Sequence, residues 1–451
     1  MKGKVALHNL GCKVNAYETE AMQQMLEAAG YEIVPFEPGA DIYVINTCTV
    51  TNIADRKSRQ MLHKAKKMNP NAIVVAAGCY VQADTKKAEA DASIDIIIGN
   101  NKKQELIPIL ENYRSGQQKT TECVDINHTK EYEKLEIDRT EEHTRAYLKV
   151  QDGCNQFCTY CMIPYARGRI RSRKTEDVVG EVKRLAASGC QEVVLTGIHL
   201  SSYGKERPEE QENLLTLIQA VHEVEGIERI RLGSLEPGII TKEFAEAISS
   251  LPKVCPHFHL SLQSGCTATL KRMNRRYTAQ EYREKCEILR KYYPAPALTT
   301  DVITGFPGET EEEFEESRSF VDSIHFYETH IFPYSKREGT KAAAMTDQLP
   351  EQVKKERSRI LIALGQERQR EYMEQFLGKK KEVLFEEQQK IQGQTYWTGH
   401  TMEYLKVAVI SEENLENKRV MVQLQKIIGQ DLILAEQQNH MEQIGDPAEK
   451  Q

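Results

Sequence analysis

The chain has 451 residues, 40% hydrophobic and 28% charged, which is typical of a globular protein with about two to four domains. The 60 Lys and Arg against 67 Asp and Glu give a formal net charge of −7, so any nucleic-acid contact must use local basic patches. We expect no membrane partner, because no apolar run approaches the roughly 20 residues that span a bilayer. The N-terminus shows no signal-peptide cleavage site, and the 11 cysteines suit metal ligation in a reducing cytoplasm.

The first hundred residues alternate apolar strands with amphipathic helices. This alternation predicts parallel β-α-β units, and the near-continuous apolar strands predict a sheet that is covered on both faces. The predicted strands are residues 4–10, 41–47 and 72–78, and the predicted helices are residues 17–29 and 53–68.

One cysteine follows each predicted strand of this segment: Cys12, Cys48 and Cys79. Ligands bind open α/β sheets at the carboxyl ends of the strands. Neighbouring strands are about 4.8 Å apart, so three cysteines at this edge can converge on one metal centre. The alternative interpretation is that they are three unrelated buried cysteines.

A polar, charged stretch from about residue 114 to residue 143 predicts a linker or a peripheral hairpin. Beyond it, strands and helices alternate again up to about residue 376, which predicts a partial or closed parallel β/α barrel. The barrel strands are predicted at residues 146–151, 192–196, 229–232, 257–262, 298–303 and 328–333. Glycine-containing or polar clusters follow five of these strands, where barrel active sites lie. They are residues 196–199, 233–237, 263–265, 304–309 and 333–335.

The loop after the first barrel strand holds a second set of three cysteines. Cys154, Cys158 and Cys161 are separated by three and then two residues, so one short loop can offer three thiolates. Iron–sulfur clusters are held by thiolates, and three ligands leave one iron of a cubane open. The alternatives are a zinc site that takes a distant fourth ligand and three buried free thiols.

From residue 376 the pattern changes to short strands without crossover helices, which predicts a small antiparallel barrel of oligonucleotide-binding type. Aromatic residues such as Tyr396, Trp397 and Tyr404 either stack on bases or fill this barrel. Basic residues cluster at 56–67, 167–174 and 271–276, where they can contact phosphates or form solvated, salt-linked faces.

These motifs together resemble the radical S-adenosylmethionine methylthiotransferase family over about residues 4–435. The spacing of Cys154, Cys158 and Cys161, with Tyr160 before the last cysteine, resembles the radical S-adenosylmethionine signature. The other matching motifs are residues 10–15 (LGCKVN), 46–51 (NTCTVT), 77–79 (AGC), 259–265 (HLSLQSG), 301–310 (DVITGFPGET) and 399–405 (GHTMEYL).

The resemblance implies an α/β protein with three parts. These are an N-terminal open parallel sheet domain, a partial parallel β/α barrel and a small C-terminal antiparallel β-barrel, the TRAM RNA-binding domain. The expected boundaries are 1–118 for the sheet domain, 119–143 for the linker, 144–375 for the radical core, 376–440 for the TRAM domain and 441–451 for a tail.

The resemblance also implies two [4Fe-4S] clusters, one on each cysteine set, and two molecules of S-adenosylmethionine per turnover. One molecule provides a methylated sulfur at the N-terminal cluster, and the other is cleaved at the barrel cluster to a 5′-deoxyadenosyl radical. No side chain is expected to act as a nucleophile. From their place at strand ends beside the loop, we expect Tyr160, Ser234, Gln263 and Gly305 near S-adenosylmethionine.

Lys13-Val14-Asn15 resembles the branch of the family that modifies N6-threonylcarbamoyladenosine in tRNA, on the 3′ side of the anticodon. The implied reaction replaces the C2 hydrogen of that adenine by a methylthio group. The implied partners are this tRNA, a reductant of the flavodoxin or ferredoxin type and a sulfur donor that the sequence does not identify. The alternatives are an isopentenyladenosine tRNA or a ribosomal protein as substrate, a non-catalytic iron–sulfur sensor that binds RNA, and a zinc-stabilised RNA-binding protein.

Overall fold

The computed structural model describes residues 2–116, 119–140 and 144–437. The predicted tail, residues 441–451, lies outside the described residues. Within the described ranges, none of the helices combines the length and the apolar character that crossing a membrane would require.

The N-terminal part is a six-stranded parallel sheet in the order β2-β1-β3-β4-β5-β6. Its strands are β1 Lys4–Asn9, β2 Glu32–Ile33, β3 Ile42–Thr47, β4 Ile73–Gly78, β5 Ile96–Ile98 and β6 Thr120–Glu122. Its helices are α1 Lys13–Ala28, α2 Asn52–Met68, α3 Cys79–Ala83, α4 Thr85–Ala90 and α5 Leu106–Arg114. All six residues of β3 are buried, as the apolar pattern predicts for a sheet covered on both faces.

Helix α1 begins directly after Cys12, four residues before the predicted start at residue 17. The prediction was wrong there because Asn15, a polar residue, occupies a buried position and interrupts the apolar periodicity. Its amide donates to the carbonyls of Leu10 (2.8 Å) and Thr47 (3.1 Å), so it links the loops after β1 and β3. The early start places the first turn of α1 next to Cys12.

The second part is an open arc of parallel strands, which confirms the predicted partial β/α barrel. One sheet has the order β10-β9-β7-β8 and the other has the order β11-β12-β13, and isolated bridges such as Leu235–Leu260 join them. The strands are β7 Arg145–Asp152, β8 Arg171–Ser172, β9 Glu192–Gly197, β10 Arg229–Leu232, β11 His257–His259, β12 Ala297–Thr304 and β13 Glu328–Pro333. The helices are α6 Ile163–Ala166, α7 Thr175–Ala187, α8 Leu214–His222, α9 Lys242–Ser249, α10 Thr267–Arg272, α11 Ala279–Tyr292 and α12 Glu311–Ile324.

A long helix, α13 (Glu351–Glu374), packs against β13 and was not predicted from the sequence. Charged residues occur in nearly every turn of α13, so its apolar periodicity is weak. Its buried positions include Leu361, in the core of the barrel, and Met373, in the core of the C-terminal part. The helix therefore packs into two hydrophobic cores.

The C-terminal part is a closed five-stranded barrel in the order β14-β15-β16-β18-β17, which confirms the predicted small β-barrel. The pairing is antiparallel as predicted except between β16 and β18, which are parallel because β17 lies between them in sequence. The strands are β14 Lys380–Ile391, β15 Gln394–Thr401, β16 Lys406–Val409, β17 Arg419–Ile428 and β18 Leu432–Gln437. Trp397 belongs to its hydrophobic core. Tyr404 stacks between His257 and His400, with ring centroids 4.7 and 4.6 Å away. These two aromatic residues therefore serve packing, not base stacking.

Candidate active site

The three N-terminal cysteines come together at the carboxyl edge of the parallel sheet. Cys12 precedes the first residue of α1, Cys48 follows β3, and Cys79 is the first residue of α3. Burial is the main cause that raises the pKa values of Cys12 and Cys48, and Cys79 contributes to both, so the three thiols lie within electrostatic range of one another. The order β2-β1-β3-β4 places Cys12 and Cys48 where the chain winding reverses, the usual ligand position in such sheets.

Hydrogen-bond donors around the N-terminal set can stabilise a thiolate that a cluster holds. Burial and then Cys79 raise the pKa of Cys48 to about 11, so this thiol stays neutral unless a positive ligand binds it. Arg167 is fully buried, and its Nε donates to Sγ of Cys79 at 3.2 Å. The Nδ2 of Asn100 lies 3.6 Å from the same sulfur.

The barrel set lies on a loop that is fixed by the segment after α10. Asn274 donates to the carbonyls of Gln156 and Phe157 at 3.2 and 3.0 Å, inside the loop. Arg275 donates from Nη1 to Sγ of Cys158 at 3.3 Å. Each cysteine set therefore has one sulfur that accepts a hydrogen bond from an arginine: the buried Arg167 or the partly buried Arg275.

Both sets fit a multi-iron cluster better than a single zinc ion. Burial and then Cys158 raise the pKa of Cys161 to about 12, so these two loop thiols lie within electrostatic range of each other. Tetrahedral zinc with bonds of about 2.3 Å requires sulfurs about 3.8 Å apart. Among the described residues, ligand atoms all within 4.8 Å of one another occur only in His259, Asp301 and His330, so neither cysteine set is that compact.

Two of the four residues expected near S-adenosylmethionine have contacts that link them to the cysteine loop. Tyr160 lies within electrostatic range of Cys158 and Arg275, and its ring meets that of Phe306 edge-on at 6.3 Å. Phe306 follows Gly305, whose missing Cβ leaves room for the side chain of Lys354.

The other two expected residues lie elsewhere on the same strand ends. Gln263 is buried with a φ of 70°, and its backbone pairs with Asp301 and Ile303. Ser234 is exposed, and its side chain forms no hydrogen bond with any of the described residues. Among the described residues, no hydrogen bond therefore joins the Ser234 side chain to the cysteine loop.

Within the predicted cluster 233–237, the side chain that meets the cysteine loop is Glu236. It accepts from Gln156 of the loop at 2.9 Å and lies 3.2 Å from His199 Nε2. Burial opposes its charge, yet His199 and then Arg275 lower the pKa of Glu236 below its usual value. His199 and Glu236 belong to the glycine-containing clusters 196–199 and 233–237, but the sequence alone did not predict them as site residues.

A buried charge network joins the N-terminal sheet to the barrel behind both cysteine sets. Glu18 of α1 accepts from Arg167 at 2.7 Å and from Lys149 of β7 at 2.8 Å. Asp152, at the end of β7, pairs with Lys149 at 2.7 Å and with Arg167 at 3.3 Å. The arginine that contacts Cys79 is therefore held by carboxylates from both parts of the chain.

Two family descriptions match the chain. Residues 148–321 match the Radical SAM superfamily, and residues 4–99 match the Uncharacterized protein family UPF0004. The threonylcarbamoyladenosine tRNA methylthiotransferase MtaB of Bacillus subtilis is 42% identical over 424 residues, 94% of each chain. The protein of that name from Aquifex aeolicus is 44% identical over 393 residues, 87% of this chain and 95% of its own.

The chain belongs to the radical S-adenosylmethionine methylthiotransferase family. A tRNA-2-methylthio-N(6)-dimethylallyladenosine synthase of Thermoanaerobacter pseudethanolicus is also similar, with 38% identity over 395 residues, 85% of this chain and 83% of that one. Among solved structures, the radical S-adenosylmethionine methyltransferase TsrM of Kitasatospora setae has a TM-score of 0.54 at 13% identity and covers 74% of this chain and 72% of its own. This structural likeness supports the fold.

Membership of the radical S-adenosylmethionine methylthiotransferase family implies a [4Fe-4S] cluster and S-adenosylmethionine. The loop with Cys154, Cys158 and Cys161 fits this cluster, because it offers three thiols to one centre and leaves one iron without a protein ligand. Arg275 and Glu236 border that loop.

Gly153 sets the path of the cluster loop, and Gly153→Ala should disrupt it. Its φ is +72°, and a Cβ there would lie 1.8 Å from the carbonyl oxygen of Arg169. We expect iron analysis to show loss of the iron held by this loop. Gly189→Ala is the matched control, because Gly189 also has a positive φ (+94°) but its Cβ would meet nothing within 4 Å. Equal iron content in the two variants would contradict this role.

Proposed function

We propose that this protein converts N6-threonylcarbamoyladenosine, on the 3′ side of the anticodon of tRNA, to its 2-methylthio derivative. The observation that carries this proposal is the identity of 42% and 44% with two threonylcarbamoyladenosine tRNA methylthiotransferases along nearly their whole length. Nucleoside mass spectrometry of tRNA from a deletion strain tests it. Loss of the 2-methylthio form, restored by the wild-type gene, is expected, and an unchanged profile would contradict the proposal.

The second candidate is the corresponding reaction on dimethylallyladenosine, since a synthase for that product is 38% identical to this chain. The same experiment separates the candidates, because the two products differ in mass. Loss of 2-methylthio-N6-dimethylallyladenosine, with the threonylcarbamoyl product retained, would favour this second reaction.

We propose that each cysteine set holds one [4Fe-4S] cluster and that two molecules of S-adenosylmethionine are used per turnover. When bound, these groups supply a methylated sulfur and a 5′-deoxyadenosyl radical. Anaerobic reconstitution should give about eight irons per chain if both sets bind four-iron clusters. A plateau near four irons in the fully folded protein would contradict the second cluster.

The residues of the chain position these groups. Arg275 orients Cys158, and Arg167 orients Cys79, through hydrogen bonds to sulfur. Glu236 holds Gln156 and so fixes the cysteine loop against the strand end after β10. We also propose that Tyr160, Ser234, Gln263 and Gly305 surround S-adenosylmethionine.

We further propose the predicted division into domains, with the N-terminal domain extended to β6 (Thr120–Glu122), which belongs to its sheet. Residues 376–440 are then the TRAM RNA-binding domain in a cytoplasmic enzyme. The reductant is of the flavodoxin or ferredoxin type, and the sulfur donor is unassigned. The basic cluster after Cys48 supports an RNA contact, because Arg56, Lys57 and Lys64 are exposed on α2 beside the N-terminal set.

A further inference from the structure

Lys13 lies where the N-terminal sheet meets the barrel, because α1 packs against β7 and β9. It is the first residue of α1, directly after Cys12, and both residues are exposed. Among the described residues, no hydrogen bond or ion pair involves the Lys13 ammonium.

The wall opposite Lys13 is formed by the inner face of the barrel. Lys13 is within electrostatic range of Arg145 on β7, Glu192 on β9 and Arg231 on β10. It is also in range of His257 on β11, whose pKa is lowered mainly by burial and further by charges that include Lys13. Along β7, Ala146 and the alternate residues after it pack into the outer hydrophobic core, so Arg145 faces the lumen. Lys13 therefore projects toward the interior of the partial barrel.

Among the described residues of this lumen, Lys13 differs from its neighbouring arginines, because they form ion pairs and it forms none. Arg231 donates from Nε to Glu192 at 2.8 Å, and Arg145 lies 3.4 Å from Glu386 and 4.0 Å from Glu192. Both guanidinium groups also lie over the ring of Tyr404, at 4.7 and 5.1 Å from its centroid. These contacts fix the two arginines, and the ammonium beside them adds a positive charge without a counter-ion.

The substrate in the proposed function carries the matching charge. The threonine joined to adenine through the carbamoyl group keeps a free carboxylate, whereas a dimethylallyl group is apolar and neutral. We propose that Lys13 binds this carboxylate and is a specificity-determining residue for threonylcarbamoyladenosine. This inference rests on the proposed function, and it adds the residue that distinguishes the anionic base from neutral ones.

The test compares two RNA substrates that differ only in this charge. An anticodon stem-loop carries either N6-threonylcarbamoyladenosine or its threonine methyl ester, and the reconstituted holoenzyme is assayed for kcat/KM and, by fluorescence anisotropy, for Kd. Wild type should prefer the acid, and Lys13→Gln should lower kcat/KM for the acid about 10- to 100-fold more than for the ester. Lys13→Arg should retain the preference for the acid.

Lys355→Gln, on the exposed face of α13, is the matched control and should keep the wild-type ratio. If Lys13→Gln weakened both substrates equally, or kept the preference for the acid, the inference would be overturned. Failure of the proposed function has a different signature: wild type with intact clusters would then form no methylthio product on the acid. In that case the ratio of the two Kd values still decides whether Lys13 contacts the carboxylate.

Discussion

Replacing Cys158 by alanine should abolish both 5′-deoxyadenosine formation and methylthio transfer. Cys158 belongs to the loop set, and its sulfur accepts the hydrogen bond from Arg275. Two thiols that remain, Cys154 and Cys161, cannot hold a four-iron cluster with a single open iron. The measurement is chromatography of 5′-deoxyadenosine under reduction together with mass spectrometry of the tRNA nucleosides.

Cys48→Ala should separate the two activities. Cys48 belongs to the N-terminal set, on a different sheet, so its loss should abolish methylthio transfer but leave the formation of 5′-deoxyadenosine. Cys123→Ala is the control, because Cys123 belongs to neither set and should retain both products. If Cys48→Ala stopped radical formation while the barrel loop kept its iron, the division of labour between the sets would be wrong.

The cysteines and the strands were predictable because both are local signals. The spacing of Cys154, Cys158 and Cys161 is visible in eight residues, and each N-terminal cysteine follows an apolar run. Convergence of Cys12, Cys48 and Cys79 then follows from parallel strand geometry alone. The arginines that contact these sulfurs were not predicted, because Arg167 meets Cys79 across 88 residues of sequence.

Ser234 was predicted near the site, but Glu236 is the residue whose side chain contacts the cysteine loop, and the sequence alone does not distinguish them. Strand β10 ends at Leu232, so the alternation of side chains no longer fixes which face a residue occupies. A backbone bridge between Leu235 and Leu260 decides the orientation, and this contact joins two strands that are far apart in sequence. Glu236 could therefore be identified as the residue that faces the loop only from the tertiary structure.

Glu18→Gln should destabilise the protein by about 3–5 kcal/mol, since it removes one carboxylate from a buried charge network. Glu18 is fully buried and pairs with Arg167, Lys149 and Lys103, the last at 3.3 Å. Asp152 alone then faces Arg167 and Lys149. Glu27→Gln on the same helix is the matched control: Glu27 pairs with Arg139 at the surface, so its loss should cost at most about 1 kcal/mol.

The pH dependence of the stability that Glu18→Gln loses tests whether the charge of Glu18 is the cause. Burial opposes ionisation, but Arg167, Lys103 and Lys149 hold the pKa of Glu18 well below its usual value. A depressed folded-state pKa stabilises the fold above the unfolded value of about 4.3, and the stabilisation is lost as the pH falls toward the folded value. The gap in Tm between wild type and Glu18→Gln should therefore be full at pH 7 and shrink below about pH 4. A gap that persisted unchanged into acid would show that packing, not the charge of Glu18, supports this interface.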